Sequence, residues 1–208
     1  MKKILQQVKG LTIGYKGKEL FSNIGFDICE GDCILLCGAN GSGKTTLLKA
    51  LAEIRTDIET AMIPTRIPKV KGFTLREFIE LSCYNSPAAE PDKALEMLSL
   101  SDLADRDIST LSDGEFQKGT IAAAIAKGAE IIYLDEPTAF LDAENKKKVL
   151  KALKDLCEST GKAIIFSSHD LHEGLQACNK VIALGADGIL RISASDREVT
   201  VSTIFSNE

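Results

Sequence analysis

Residues 38–46, GANGSGKTT, combine glycine, lysine and hydroxyl side chains at a spacing that suits phosphate chemistry. Gly38, Gly43, Lys44 and Thr45 match the pattern G-x-x-x-x-G-K-[ST]. Glycines allow backbone N–H groups to curl around anionic oxygens, and the start of a helix adds a positive dipole. A lysine here reaches the β- and γ-phosphates, and a hydroxyl can ligate Mg²⁺. We therefore predict a nucleotide-binding loop whose contacts come from Gly38, Ala39, Asn40, Gly41, Ser42, Gly43, Lys44, Thr45 and Thr46.

Polar side chains also follow two other predicted strands. Residues 131–134 lead directly into Asp135 and Glu136, and residues 163–166 lead into the stretch SSHD, which contains His169. Because the carboxyl ends of parallel strands lie at one edge of a sheet, we expect these groups beside the γ-phosphate. Adjacent residues of a strand point in opposite directions, so one carboxylate can serve Mg²⁺ and the other can face an attacking water. The alternative for the two carboxylates is a favourable negative charge at a helix start.

The pattern of apolar residues predicts the elements that position these groups. Residues 4–15 and 24–28 alternate as antiparallel strands, whereas the continuous apolar run 33–37 is typical of a buried parallel strand. Helical patterns over 113–127 and about 143–158 then alternate with strands. This order predicts an α/β fold, a P-loop NTPase core of the RecA-like type with an antiparallel β subdomain and a small helical insert.

The chain length favours one domain spanning residues 1–208. We expect residues 1–65 and 109–208 to form the core with its β subdomain, and residues 66–108 to form the helical insert. Two stretches of the insert, FTLREFIELS and PDKALEMLSLSDLAD, have leucine and isoleucine at helical spacing. Near the end of the chain, KVIALGADGILRI predicts a hairpin with its turn at 185–188.

Composition excludes several classes of function. The net charge is −5, and no basic run stands out beyond KKK at 146–148, which argues against nucleic-acid binding. The apolar runs are far shorter than the roughly 20 residues that cross a bilayer. The six cysteines form no C-x-x-C pair, so we interpret them as small buried apolar side chains rather than as a metal or redox site. We expect a cytoplasmic protein.

Further motifs resemble those of a known family, the ATP-binding subunits of ABC transporters. LSDGE at 111–115 is similar to the family's LSGGQ signature, and YLDEPTAFLD is similar to its Walker B segment and D-loop, with Asp142 in the latter. His169 matches the switch histidine, and Tyr15 matches the aromatic residue that stacks on adenine. Other stretches, such as FSSHDLHEGLQACNKVIAL, look most like the importers of iron–siderophore, haem and cobalamin complexes.

The resemblance implies a mechanism in which two such domains pair head to tail around two ATP molecules. It assigns Glu136 to polarising the attacking water, His169 to holding the γ-phosphate, and Thr45 and Asp135 to Mg²⁺. It also implies a second ATP-binding subunit, as a homodimer with ATP, a transmembrane permease, and a position on the inner face of the cell membrane. The partner's nucleotide would be contacted by the signature residues Ser112, Asp113, Gly114 and Glu115.

Three positions depart from the family pattern. Thr65 occupies the place of a glutamine that touches Mg²⁺ and senses the membrane partner, so one metal ligand would be lost, which water could replace. Asp113 replaces a signature glycine and brings a carboxylate towards the nucleotide, which weakens closure of the pair. Glu115 in place of glutamine is a milder change.

Three other functions are alternatives to an importer ATPase. One is an ABC exporter ATPase, and another is a regulatory module that binds ATP but hydrolyses it weakly, which the departures at Thr65 and Asp113 favour. A third is a DNA-repair or chromosome-type ATPase, which carries long coiled coils before the signature. Only residues 46–110 separate the phosphate loop from LSDGE, and they contain no heptads, so this third function is disfavoured.

Overall fold

The computed structural model describes residues 2–15, 17–185 and 190–194. Within that part of the chain, eight strands form two sheets. They are β1 (Ile4–Tyr15), β2 (Lys18–Cys29), β3 (Cys33–Gly38), β4 (Thr60–Ile63), β5 (Ile131–Leu134), β6 (Ala163–Ser167), β7 (Lys180–Leu184) and β8 (Leu190–Ala194). β1 and β2 form an antiparallel pair, and the others form one sheet in the order β4-β5-β6-β3-β7-β8.

The large sheet is parallel except at one edge. β3 pairs in parallel with β6 and β7, and β5 pairs in parallel with β4 and β6. β8 runs antiparallel to β7, as the predicted hairpin requires, although residues 186–189 of its turn lie outside the described residues. The expected α/β architecture with a parallel sheet and an antiparallel β pair is thus confirmed.

Six helices connect these strands within the described residues. They are α1 (Lys44–Glu53), α2 (Leu75–Ser82), α3 (Pro91–Met97), α4 (Asp113–Ala126), α5 (Ala143–Thr160) and α6 (Leu171–Ala177). None of these helices is both long and apolar enough to span a bilayer.

The apolar core lies on both faces of the large sheet. In β3, Ile34 and Leu36 pack on the side of α1 and the β1–β2 pair, whereas Leu35 and Cys37 pack on the side of the other helices. All four side chains are fully buried, which is why β3 has a continuous apolar sequence instead of an alternating one. The strand that leads into the phosphate loop is therefore fixed from both faces.

The helical insert differs from the sequence prediction in its second helix. A helix was predicted over PDKALEMLSLSDLAD, but α3 ends at Met97 and is followed by a 3₁₀ turn at Ser101–Leu103. Ser99 has φ +54°, a left-handed conformation that ends the helix. Leu98 and Leu100 remain buried around this break, so the apolar spacing continues where the helix does not.

Candidate functional site

Three groups predicted to meet at one sheet edge do meet there. β5, β6 and β3 are neighbours in the sheet, and their carboxyl ends lead to Asp135, to the SSHD stretch and to the glycine-rich loop respectively. Thr45 Oγ1, at the start of α1, donates a hydrogen bond of 2.9 Å to Asp135 Oδ2. The sheet order thus brings together side chains that lie 90 residues apart in the sequence.

The glycine-rich loop has the geometry of an anion-binding turn. Gly43 precedes α1 with φ +103°, a conformation that favours glycine. A Cβ atom at Gly38 would lie 2.8 Å from the Leu184 carbonyl oxygen, so no larger residue fits there. Ser42 Oγ is buried and has no hydrogen-bond partner within the described residues, which suits a group that contacts a bound anion.

The first turn of α1 differs from the first turns of most other helices in the described residues. α2, α4, α5 and α6 each have a side chain that caps their first turn, but α1 has neither a side-chain cap nor an acidic residue in its first turn. Uncapped N–H groups at a helix start attract phosphate. The amino end of α1 is therefore the helix start best suited to a nucleotide phosphate.

Lys44 lies within this loop with most of its length buried. Its Nζ donates hydrogen bonds to the carbonyl oxygens of Gly38 and Ala39, at 2.9 and 3.1 Å. Burial lowers the pKa of Lys44, while Glu136, Cys37 and Asp135 oppose the decrease. The ammonium group is thus held at the loop by carbonyl oxygens that phosphate oxygens can replace.

Asp135 is buried and accepts three hydroxyl donors. Thr45 and Thr65 both donate to Oδ2 at 2.9 Å, and Ser167 donates to Oδ1 at 2.8 Å. A carboxylate beside a threonine hydroxyl is a suitable donor set for Mg²⁺, which completes its shell with phosphate oxygens and water. Within the described residues no group of three His, Cys, Asp or Glu side chains could hold a metal by itself. Thr45 and Asp135 therefore fit a magnesium ion bound together with a phosphate ligand.

Glu136 has different surroundings from Asp135, but not for the predicted reason. The expectation was an extended strand end with alternating side chains, yet Glu136 has φ +51°, in the left-handed region. Its backbone N–H donates to Ser167 Oγ at 2.9 Å, which holds this turn directly after β5. A non-glycine residue in this conformation is strained, and such strain is common at functional sites.

The Glu136 carboxylate faces His169. His169 Nε2 lies 3.1 Å from Glu136 Oε1, but this oxygen has no hydrogen-bond partner within the described part of the chain, so the contact is electrostatic. The glutamate side chain is 15% exposed and the histidine 56%. Burial raises the pKa of Glu136, and His169 and Lys44 oppose the rise. A poorly solvated carboxylate with a raised pKa is suited to accept a proton from water.

The β1–β2 pair covers one side of the loop. The atoms nearest to a Cβ built at Gly43 belong to the side chains of Leu20, Phe21 and Ile13. Tyr15, at the end of β1, pairs with Lys18 and is 64% exposed. Its side chain thus lies at the surface of the subdomain that borders the phosphate loop.

The LSDGE residues form the start of α4. Ser112 Oγ accepts a hydrogen bond from Glu115 N, and the Glu115 carboxylate accepts one of 2.7 Å from Ser112 N, so the two residues form a capping box. A Cβ atom at Gly114 would lie 3.1 Å from the Phe140 carbonyl oxygen, which gives this glycine a packing role. Asp113 pairs with Lys69 at 2.7 Å. In the neighbouring D-loop, Asp142 caps α5 through Asn145 N at 2.8 Å.

Two side chains at this site, Ser167 and Lys69, were missed by sequence reasoning. Ser167 ends a strand that is otherwise apolar, and a buried polar residue at a strand end was a usable signal. Lys69 is one lysine among many and carried no signal. Thr65 was singled out only as a missing glutamine, whereas the structure has its hydroxyl bonded to the carboxylate expected to hold Mg²⁺.

The parallel sheet, the glycine-rich loop and the adjacent carboxylate define a P-loop nucleotide-binding protein. Residues 21–139 match the family described as ABC transporter. The chain belongs to the ABC transporter family.

Several curated relatives are named as ATP-binding proteins of import systems. The zinc import ATP-binding protein ZnuC of Cereibacter sphaeroides is 33% identical over 179 residues, covering 80% of this chain and 73% of that protein. The cobalamin import ATP-binding protein BtuD of Halobacterium salinarum is 28% identical over 221 residues, covering 92% of this chain and 55% of that protein. The chain thus spans about half the length of the cobalamin relative.

Solved structures agree on the fold. A metal-chelate type ABC transporter in an inward-facing conformation matches with a TM-score of 0.84 and 26% identity, over 99% of this chain and 90% of that one. A dimeric bacterial ABC transporter cassette matches with a TM-score of 0.77 and 23% identity, over 91% and 98%.

Proposed function

We propose that this chain is the ATP-hydrolysing subunit that powers a membrane transporter. One observation carries the proposal: Asp135 is bonded to Thr45 of the phosphate loop, while the next residue, Glu136, faces His169. Metal-binding and proton-accepting carboxylates thus lie side by side at one loop. Membership of the ABC transporter family supports the same conclusion.

Nucleotide binding rests on the loop and α1. Backbone N–H groups at the start of α1 bind the phosphates, and Lys44 exchanges its bonds with the Gly38 and Ala39 carbonyls for bonds with phosphate oxygens. Tyr15 stacks against the adenine. Thr45 and Asp135 would hold Mg²⁺, which would supply positive charge against the phosphates, while Thr65 and Ser167 keep the Asp135 carboxylate in place.

Glu136 acts as the general base. It accepts a proton from the water that attacks the γ-phosphorus, and ADP leaves as phosphate forms. In this mechanism His169, whose Nε2 lies 3.1 Å from the Glu136 carboxylate, contacts the γ-phosphate. The low solvent exposure of Glu136 limits competition from bulk water.

The second half of the ATP site comes from a partner copy. Ser112, Asp113, Gly114 and Glu115 at the start of α4 face the nucleotide on the phosphate loop of that copy, and Asp142 lies at the same junction. Closing and reopening of this pair moves a transmembrane permease, so the subunit works at the inner face of the membrane.

Import is the favoured direction. Relatives named for import of zinc, cobalamin and molybdate, and for transport of the siderophore achromobactin, support a metal ion or a metal-containing complex as the solute. An exporter ATPase is the alternative within the family. A weakly hydrolysing regulatory module is a second candidate, favoured by Thr65 and Asp113; it predicts that Thr65→Gln with Asp113→Gly sharply raises turnover.

Purification of the tagged chain from native membranes in mild detergent tests the proposal, with the tag alone as control. We expect a many-helix membrane protein to co-purify and to change the ATPase rate of the chain. An exporter-type partner would overturn the direction of transport. Absence of any membrane partner would contradict a transport function.

A further inference from the structure

The departure at Asp113 has a partner in the same chain. Lys69, in the loop between β4 and α2, approaches the Asp113 carboxylate to 2.7 Å. The same ammonium group donates a 2.7 Å hydrogen bond to the Leu111 carbonyl oxygen and lies 5.8 Å from the centre of the Phe116 ring. Lys69 therefore contacts both sequence neighbours of Ser112, the residue that caps α4.

The two members of the pair differ in exposure. The Asp113 side chain is 75% exposed and the Lys69 side chain 23%. Lys69 lowers the pKa of Asp113, with a smaller contribution from Arg66, and the pair thus favours the ionised carboxylate. Exposed ion pairs of this kind contribute little to stability, so stability alone does not account for the arrangement.

The location of the charge gives it a consequence. Under the proposed function, the start of α4 faces the triphosphate of the partner copy. A free carboxylate there would repel the phosphates, whereas a carboxylate paired with an ammonium group presents no net charge. The pair restores the neutrality that a glycine would have given.

We propose that Lys69 is a positioning residue that neutralises Asp113, so that the start of α4 accepts the nucleotide bound to a second copy of the chain. This inference rests on the proposed function. It adds the loop between β4 and α2 to the groups that set the affinity between the two copies, and it explains how a signature segment with a carboxylate remains competent.

A double-mutant cycle at Lys69 and Asp113, with substitutions that remove a charge but never reverse one, tests the proposal. In the Glu136→Gln background, where ATP persists, light scattering gives the ATP concentration for half-maximal dimerisation. We expect Lys69→Met to raise this concentration tenfold or more, because Asp113 is then unpaired. Lys69→Arg keeps the charge and should remain within threefold of the parent.

Neutralising the carboxylate should rescue the loss. Asp113→Asn alone should dimerise at the same or a lower ATP concentration than the parent, and Asp113→Asn with Lys69→Met should return to within threefold of it. A purely structural role of Lys69 at the Leu111 carbonyl predicts no rescue. Lys151→Met, which removes an exposed pair with Asp155 of 2.6 Å, is the matched control and should change nothing.

The outcomes separate this inference from the proposed function. If the Glu136→Gln parent fails to dimerise with ATP, the proposed function fails and this inference fails with it. If the parent dimerises but Lys69→Met stays within twofold, or Asp113→Asn does not rescue it, only the role of Lys69 is overturned. Urea unfolding of each variant identifies any that does not fold. In that case the Asp113→Asn variant alone still shows whether the negative charge at this position raises or lowers the ATP concentration for half-maximal dimerisation.

Discussion

Asp135 illustrates how much of the site is organised around one carboxylate. Its two oxygens accept hydrogen bonds from hydroxyl groups of three different segments, those of Thr45, Thr65 and Ser167. Hydrogen bonds to a charged group are stronger than neutral ones, so each donor helps to fix the carboxylate. If the Thr45 hydroxyl turned to a bound metal ion, Thr65 would still hold the same oxygen.

Replacement of Thr65 by valine tests this role. Thr65→Val removes the hydroxyl with little change in shape, so the Mg²⁺ concentration that gives half-maximal ATP binding should rise about threefold to tenfold. Thr56→Val is the control, because the Thr56 hydroxyl bonds the Ile58 carbonyl away from the site. Equal Mg²⁺ dependence in the two variants would remove Thr65 from the metal site.

The Glu136–His169 contact predicts a pH effect. Glu136 must be deprotonated to act as a base, so activity falls as the pH drops through its raised pKa. His169 and Lys44 oppose that raised pKa and Asp135 adds to it. Removal of the imidazole in His169→Gln should therefore shift the acid limb of kcat/KM to higher pH, and also lower kcat.

The pH profile of His172→Gln serves as the comparison. His172 is exposed, and within the described residues its side chain has one hydrogen bond, with Gln176. We expect its acid limb to match the wild type. An unmoved acid limb in His169→Gln would mean that the imidazole does not act on Glu136.

At the scale of elements, helix starts carry much of the chemistry. α1 has no side-chain cap, so the N–H groups of its first turn suit a phosphate, whereas α2 and α4 both begin with a capping box. The two boxes are chemically alike, Thr74 with Glu77 and Ser112 with Glu115. Only the second belongs to the segment expected to face a nucleotide.

This likeness separates stability from function. Ser112→Ala and Thr74→Ala should each lower the free energy of unfolding by about 1 kcal/mol, measured with urea in the absence of nucleotide. ATP turnover should fall in Ser112→Ala and stay near wild type in Thr74→Ala. If both variants lost turnover equally, the effect of Ser112 would be one of folding rather than nucleotide contact.

Local rules predicted the elements whose signals are local. Glycine followed by lysine marked the start of α1, and the helical patterns over 113–127 and about 143–158 correspond to α4 and α5 in the structure. The end of α3 escaped prediction because the apolar spacing continues through the buried Leu98 and Leu100 and does not indicate that Ser99 between them is left-handed.

Contacts across long stretches of chain also escaped prediction. Thr65 and Asp135 are 70 residues apart, and Lys69 and Asp113 are 44 apart. Nothing in the residue types indicates that these side chains meet, because the sheet order and the fold of the insert bring them together. The polar strand ends, by contrast, could be predicted to converge once a parallel sheet was inferred.

At the scale of the whole molecule, the site of one chain is only half of the proposed catalytic unit. The phosphate loop lies at the start of α1, while the signature residues lie at the start of α4 and make their polar contacts with Lys69 and with each other. A chain of net charge −5 that pairs with its own copy around two triphosphates must offset considerable repulsion. Under the proposed function, contacts between the start of α4 and the partner copy's nucleotide, together with Mg²⁺ beside the phosphates, would offset this repulsion.

The molecular mass of Glu136→Gln should report this pairing. With Mg²⁺ and ATP it should change from 22.4 kDa to twice that value, and without nucleotide it should remain a monomer. The same variant carrying Lys44→Ala should stay monomeric, because Lys44 is needed to bind the phosphates. A dimer that forms without nucleotide, or a monomer saturated with ATP, would contradict the two-copy site.

Phosphate release from ATP by the wild type and by Glu136→Gln tests the central claim most directly, with ATP binding measured in parallel. The wild type should turn over ATP. Glu136→Gln should bind ATP as tightly, but its rate of phosphate release should be lower by a factor of about 100 or more, because it lacks the base. Glu53→Gln, an exposed glutamate on α1, should behave as wild type. Equal rates in wild type and Glu136→Gln, or no hydrolysis by either, would contradict an ATPase in which Glu136 accepts the proton.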